Sequence, residues 1–426
     1  MSLFYDTLET RDPALREREL MAALAHQVAR AQDLTPAFGE LLAGIEAESI
    51  TSRGQLARLP VTRKHELLTR QQAQRGHDVF GGFSAIGWSG LTRSSGALRV
   101  FQSPGPIYEP EGKASDYWRS ARALYAAGFR RGDLVHNSFS YHLTPAGAMM
   151  ESGAHALGCT VFPGGVGNTE LQLQAASELK PHGYVGTPSF LKILLDKAAE
   201  AGSALPSLRK ALVSGEAFPP SLRDWLDARG VAAYQCYATA DLGLIAYETS
   251  AREGLVLDEG VIVEIVRPGT NEPVPEPKAG ESPEVGEVVV TTLNPDYPLI
   301  RFGTGDLSAM LAGTCPTGRS NTRIKGWMGR ADQSATVRGM FVHAGQVADI
   351  TRRFPELGRA RLVVTGEMAN DQMSLLVEIA GVSDGLAERV AAAVRDVTKL
   401  RSAVSFVAPG SLPNDGRVIE DARRYD

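Results

Sequence analysis

Cysteine is nearly missing from this chain of 426 residues, and Cys159, Cys236 and Cys315 lie far apart with no paired spacing. Thiols so placed exclude a disulfide framework and a four-thiolate zinc site, and read as reduced structural residues. Long apolar runs are missing too. No segment approaches the roughly 20 predominantly apolar residues of a membrane span. The first ten residues already carry acids, which argues against a signal peptide. The chain therefore reads as cytoplasmic, with no membrane partner. Positive charge is not in excess, since 44 Lys and Arg stand against 49 Asp and Glu for a net charge of −5. Without a basic stripe, nucleic acid is a poor partner. Repeats and low-complexity tracts are absent. Lysine is scarce, at nine residues ending with Lys399.

What is present is an ordinary hydrophobic fraction of 43 %. At roughly 150 residues per domain, that predicts two or three units with real cores. The 44 glycines exceed the usual share of about 7 %, and the surplus belongs in turns and in loops that approach a ligand. Leu15, Leu20, Leu24 and Val28 recur at helical spacing within residues 12–45, and Pro60-Val-Thr-Arg-Lys64 reads as a turn into a capped helix. A helix follows from Arg119 to Gly128, then a short buried strand at Leu134 to Asn137. From Leu134 to Thr169 the sole charged residue is Glu151, while apolar pieces alternate with Gly and Pro. Strand, loop and helix then continue through Tyr184–Pro188, Leu191–Ala201, Lys210–Ala217 and Val231–Tyr237. This is the grammar of a doubly wound α/β sheet, whose strand C-termini carry ligand-binding loops. Residues of about 255–310 predict a β-rich part. Past Asp332, strands at Arg361–Val364, Met373–Ile379 and Val404–Val407 with a helix at Leu386–Val397 predict a small α+β terminal domain. The boundaries expected are 1–331 and 332–426.

Short turns in a fixed order carry the chemistry: Ser214-Gly215-Glu216-Ala217, Tyr237-Ala238-Thr239-Ala240-Asp241, Arg301-Phe302-Gly303-Thr304-Gly305-Asp306-Leu307, and Gly329-Arg330-Ala331-Asp332, with Val337-Arg338-Gly339 beyond. Singly, each is common loop punctuation, in which Asp and Thr cap backbone N–H groups. Taken in this order, they make the chain resemble the AMP-forming adenylating superfamily of acyl-CoA synthetases and, within it, the phenylacetate-CoA ligase group. The resemblance runs from about Pro60 to Gly416. It implies the multi-subdomain adenylate-forming α/β fold with a mobile C-terminal lid. It also implies a two-step reaction, in which a carboxylate attacks the α-phosphate of ATP and a CoA thiolate then displaces AMP.

By that resemblance Ser214, Gly215 and Glu216 line the adenine slot beside Ala238, Tyr237 stacks on the base, and Asp306 accepts from the ribose hydroxyls. A carboxylate suits a vicinal diol because it accepts at several sites and donates at none. Arg330 faces the ribose-phosphate, Thr239 the α-phosphate, and Asp241 takes the Mg2+ position usually held by Glu. The phosphate loop is expected at Ser103–Pro110, with Ser103 and Gly105 at the nucleotide. That segment departs from the family pattern, since Pro104 and Pro106 remove N–H donors and Glu109 adds negative charge. Thr92–Arg99 is the competing segment, with Arg93 and Arg99 as cations. Arg417 stands where the family carries a catalytic Lys, keeping the charge but changing its shape. Phe139, Tyr141, His142 and Thr144, with Gly147 as floor space, are expected to receive a small aromatic acid. Asp332 is the expected hinge. ATP, Mg2+ and coenzyme A are the implied cofactors and co-substrates, and the family tendency points to a homodimer. The departures at Ser103–Pro110 and Arg417 also admit a homologue that uses preformed acyl-AMP or acyl-CoA, or an acyl-nucleotide binding protein.

Overall fold

The computed structural model describes residues 2–423, except 90–93, 268–269, 279, 332–333, 339, 367–369 and 415–416. It divides into two compact units. One comprises Met1–Ser214 and Leu226–Met328, and the other Gly215–Trp225 and Gly329–Asp426. Among the described residues no helix is long and apolar enough to cross a membrane.

The first unit is built on a nine-stranded sheet. In chain order its strands are β1 (Leu134–Asn137), β2 (Thr160–Pro163), β3 (Gly183–Gly186), β4 (Lys210–Val213), β5 (Ala232–Thr239), β6 (Gly243–Glu248), β7 (Leu255–Leu257), β8 (Met310–Leu311) and β9 (Arg323–Ile324). They lie side by side as β8-β9-β7-β6-β5-β4-β3-β1-β2. The first five are parallel to their neighbours, and β5 to β9 continue antiparallel. The parallel half thus has the order 2-1-3-4-5. The chain leaves β1 toward β2 on one side and returns as β3 on the other, and such a reversal opens a crevice at the strand C-termini.

A separate four-stranded sheet joins Thr62–Arg63, Phe302–Ser308, Gly286–Thr292 and Val261–Val266 in that order. It accounts for most of the expected β-rich part. Helix Pro13–Leu34 starts at Asp12, whose side chain accepts from Leu15 N, with Pro13 fixing the first turn. Leu20, Leu24, Val28 and Ala31 pack with Phe38, Ile262 and Phe302 in one core, while Leu15 faces solvent. The N-terminal segment is stitched down by ions. Glu9, 1 % exposed, accepts from Tyr247 Oη at 2.7 Å and from Arg319 Nε at 2.9 Å. Arg16 pairs with Glu259, and Arg119 and Arg122 share Asp258.

The second unit carries a four-stranded sheet in the order Ala403–Val407, Gln372–Glu378, Ala360–Thr365, Ile419–Asp421. Helices Ala344–Arg352 and Leu386–Thr398 cover it. Leu386, Val390, Ala393 and Val394 recur at i, i+4, i+7 and i+8, and pack with Leu362, Leu375 and Val377. A hairpin of Ser334–Val337 with Met340–His343 precedes them.

Candidate active site

The carboxyl ends of β4 and β5 place two of the expected turns together. Ser214 follows β4 and donates from Oγ to Cys236 O at 2.8 Å. Tyr237 lies near the end of β5, where the ladder to β6 shifts register between Tyr237 and Ala238. From there its Oη donates to Asp306 Oδ2 at 2.8 Å. Asp306 is held from a second side by Trp327, whose Nε1 donates to Oδ1 at 3.1 Å. A carboxylate oxygen can accept more than one hydrogen bond, which is what a ribose diol would require of it. Gly305, at a φ of +76°, supplies the left-handed step before Asp306, and Asp306 N donates to Thr304 Oγ1. Arg301, which opens this motif, is wholly buried. It donates to Glu264 and to the carbonyls of Ala57, Leu59 and Asn271, so it anchors the strand rather than a ligand.

Thr239 ends β5 in a tight turn into β6, and its Oγ1 accepts from Leu242 N at 3.2 Å. The hydroxyl proton stays available for a phosphate oxygen. Asp241, 3 % exposed, accepts from Lys64 Nζ at 2.9 Å on Oδ2, while Oδ1 is buried without a hydrogen bond. A hard oxygen donor of this kind fits Mg2+, which takes one or two carboxylates beside phosphate and water. Among the described residues no three His, Cys, Asp or Glu gather as a metal site.

At the crevice between β1 and β3, Ser138 Oγ donates to Tyr184 Oη at 2.5 Å, and Tyr184 Oη to Thr187 O at 3.0 Å. A Cβ at Gly186 would meet Ser138 Oγ at 2.1 Å, so only glycine fits there. Asn137 Nδ2 donates to Tyr141 Oη and Gly147 O, and Tyr141 Oη donates to Glu151 at 2.7 Å. Burial, and next the Glu151 carboxylate, push the Tyr141 phenol up. Tyr141 and Thr144 are half-buried, and His142 is exposed. Two expectations need correction. Gly147 offers no floor space, because a Cβ there would lie 2.7 Å from Ser140 O and 2.9 Å from the Tyr141 ring. Phe139 is packed with Val135, Met150, Val185 and Leu212 in the core rather than along an open wall.

The expected phosphate loop is also corrected. Ser103–Pro110 belongs to a β-hairpin of Arg99–Ser103 with Ile107–Glu111, in which Ser103 pairs with Ile107 and Phe101 with Glu109. Ladder pairing, two prolines and the grip of Gln71 on Tyr108 N leave Ser103 and Gly105 no row of N–H groups to present to an anion. Ser103 is buried on the inner face beside Glu109. In the competing segment Thr92 and Arg93 lie outside the described residues. Gly96 N and Ala97 N both donate to Gly87 O, and Arg99 Nε stands 3.5 Å from Glu111.

Comparison with known proteins decides the family. An AMP-binding enzyme model matches residues 120–294. A phenylacetate-coenzyme A ligase of Aromatoleum evansii is 30 % identical across 79 % of this chain and 75 % of its own length. The chain belongs to the phenylacetate-CoA ligase family of AMP-forming enzymes. A Thermus thermophilus protein of the same name is 29 % identical across 94 % of this chain and 93 % of its own. A solved 2-hydroxyisobutyryl-CoA ligase, in complex with 2-HIB-AMP and CoA, aligns at a TM-score of 0.84 and 25 % identity over 100 % of this chain and 93 % of that one. This protein is accordingly an AMP-forming acid–CoA ligase with the adenylate-forming α/β fold.

In this ligase the remaining expected residues fall in the second unit or outside the described residues. Gly215 and Glu216 belong to the second unit, as do the half-buried Arg330 and the exposed Arg417, which precedes strand Ile419–Asp421. Asp332 and Gly339 lie outside the described residues. Sequence reasoning missed Trp327, read Lys64 only as part of a turn into a helix, and read Glu109 only as a charge in the expected phosphate loop. Trp327 carries no local signal, since only folding brings it to Asp306. Glu109 is wholly buried, and burial, then the charge of Asp241, push its carboxyl well up against the pull of Lys64.

Proposed function

We propose that this ligase activates a small aromatic carboxylic acid with ATP and passes the acyl group to CoA. The observation that carries the nucleotide half is the Tyr237–Asp306–Trp327 cluster beside Thr239 and Asp241, at the C-terminal ends of the sheet strands. The names of the relatives and the half-buried Tyr141 at the β1/β3 crevice support an aromatic acid. In the first step a carboxylate oxygen forms a bond to the α-phosphorus as the bond to pyrophosphate breaks. Thr239 would donate to an α-phosphate oxygen, Asp306 would hold the ribose, and Ser214, Gly215, Glu216 and Ala238 the base. Arg330 and Arg417 would supply cationic charge. Bound Mg2+, held by Asp241, would offset the phosphate charge. In the second step the CoA thiolate attacks the acyl carbon and AMP leaves with its oxygen. Residues 1–331 and 332–426 would be the body and the lid, turning at Asp332.

A panel of aromatic, aliphatic and small hydroxy acids, assayed with ATP, Mg2+ and CoA for pyrophosphate, AMP and thioester, tests this reading. Release of pyrophosphate is expected with an aromatic acid. Release with aliphatic or hydroxy acids alone would remove the aromatic assignment, and release with none would remove the ligase. Arg417 favours a second reading, in which adenylation is impaired and preformed acyl-AMP is the substrate. Synthetic acyl-AMP then yields thioester while acid plus ATP does not.

A further inference from the structure

Arg119 stands in the left-handed region of backbone space at a φ of +64°. A side chain other than glycine is costly there, and it persists only where the surroundings hold it. What holds this one is the turn between β5 and β6. Arg119 Nη2 donates to Leu242 O at 2.6 Å and to Leu244 O at 3.0 Å, while its Nε donates to Asp258 Oδ1 at 2.8 Å. Beside it, Leu244 N donates to Trp118 O at 3.0 Å. Gly243, at a φ of +73°, lets the two segments meet, because a Cβ there would lie 2.8 Å from Trp118 O.

The same turn carries Thr239 and Asp241. Leu242 is the link, since its N–H donates to Thr239 Oγ1 at 3.2 Å while its carbonyl accepts from Arg119. Gripping Leu242 by the carbonyl fixes where its N–H points, and so occupies one lone pair of Thr239 Oγ1 while the hydroxyl proton stays free. Asp241 immediately precedes Leu242 in the chain and is fixed by the same grip. The anchor on the other side is rigid as well. Asp258 is 0 % exposed, its Oδ2 accepts from Arg122 Nη1 at 2.8 Å and its Oδ1 from Gly260 N at 2.9 Å, and its own N–H donates to Ile245 O at 2.8 Å. The guanidinium thus braces the turn against a buried carboxylate that other groups hold in place. We infer that Arg119 is a positioning residue for adenylation, acting through Leu242 on Thr239 and Asp241. This rests on the roles proposed above for Thr239 at the α-phosphate and Asp241 at Mg2+, and it does not depend on which acid the ligase activates.

Arg119→Lys and Arg119→Gln in the full-length protein test the inference. Lysine keeps a charge beside Asp258 but gathers its donors on one nitrogen, so it does not reproduce a fork that spans a carboxylate and two carbonyls. Arg122 still pairs with Asp258 in both variants. Calorimetric titration with ATP and Mg2+ should show several-fold weaker binding than in the wild type, with a smaller loss for ATP in EDTA. Pyrophosphate exchange should fall in kcat by about ten- to a hundredfold, the scale of a displaced contact, at an unchanged KM for the acid. Thioester formation from synthetic acyl-AMP should fall less. A residue with only a structural role would lower all of these together, in proportion to the folded fraction that a urea titration measures. That result overturns the inference, and so does wild-type binding and exchange in both variants. Thr239→Val and Asp241→Asn, assayed alongside, separate the two ways to fail. If these leave binding and exchange unchanged, the roles proposed for the turn are removed and the inference with them. If they impair both while the Arg119 variants do not, the inference alone is removed. Should Arg119→Gln not fold, Arg119→Lys decides the matter.

Discussion

Asp306 illustrates how much one carboxylate depends on its neighbours. Tyr237 and Trp327 each place a donor on a different oxygen, which fixes the orientation of the carboxylate. A hydrogen bond to a charged group contributes about 1.5–3 kcal/mol. At about 1.4 kcal/mol per factor of ten, Tyr237→Phe should lower kcat/KM for ATP by roughly ten- to a hundredfold. Pyrophosphate exchange at varied ATP measures this, and an unchanged value in both Tyr237→Phe and Trp327→Phe would remove Asp306 from the nucleotide site. Asp116 invites a pH test. Burial pushes its carboxyl up to about 7, while the Ala121 N–H it accepts pulls the other way. A folded-state value above the unfolded 3.8 means stability that is fully present below that value and lost as pH rises through about 7. The unfolding midpoint should therefore fall as pH rises from 3.8 to about 7 and level off above it, and Asp116→Asn should flatten the fall. An equally steep fall in the variant would exclude Asp116 as its source.

At the scale of elements, periodicity made much of the fold legible. Helix Leu386–Thr398 and strands Ala360–Thr365, Gln372–Glu378 and Ala403–Val407 match their sequence patterns because each buries one face by local spacing. The 99–111 hairpin departs from the expected phosphate loop, although Val100-Phe101 and Ile107-Tyr108 around Ser-Pro-Gly-Pro carry a strand–turn–strand signal. Gly and Pro suit a tight hairpin turn as well as a ligand loop, so composition alone does not separate the two. Partners far apart in sequence were not legible at all. His136 Nε2 meets Gln172 Oε1 at 2.7 Å, and Gln172 Nε2 donates to the carbonyls of Gly165 and Gly167. Because both amide protons are spent on those carbonyls, Oε1 must accept, which fixes the imidazole as the Nε2–H form. Burial also lowers its basicity. Gln172→Ala should strand these groups and cost about 1–3 kcal/mol in a urea titration. A neutral result would mean that the glycine loop holds without them.

For the whole molecule, composition and turn order pointed to the family and to an α/β body, because many weak local signals add along a chain. The contacts that close the body are a different matter. Glu9 and Arg319 are 310 residues apart, and no periodicity announces such a pair. Removing one partner of a buried ion pair costs about 3–5 kcal/mol, so Glu9→Ala should lower the urea midpoint markedly. Since the pair is buried, moderate salt should not reproduce the loss. A surface-like cost of under about 1 kcal/mol would show that the N-terminal segment is dispensable.

Arg417 stands on an exposed stretch before the last strand, at what the family resemblance would make the place of the catalytic lysine. A lysine amine that loses its proton is a nucleophile, and the acyl-AMP and acyl-CoA of this reaction are acyl donors. Arginine keeps its charge without becoming one. If Arg417 holds that place, an arginine there would withdraw the position from self-acylation by the enzyme's own product, and from any control exerted through lysine acetylation.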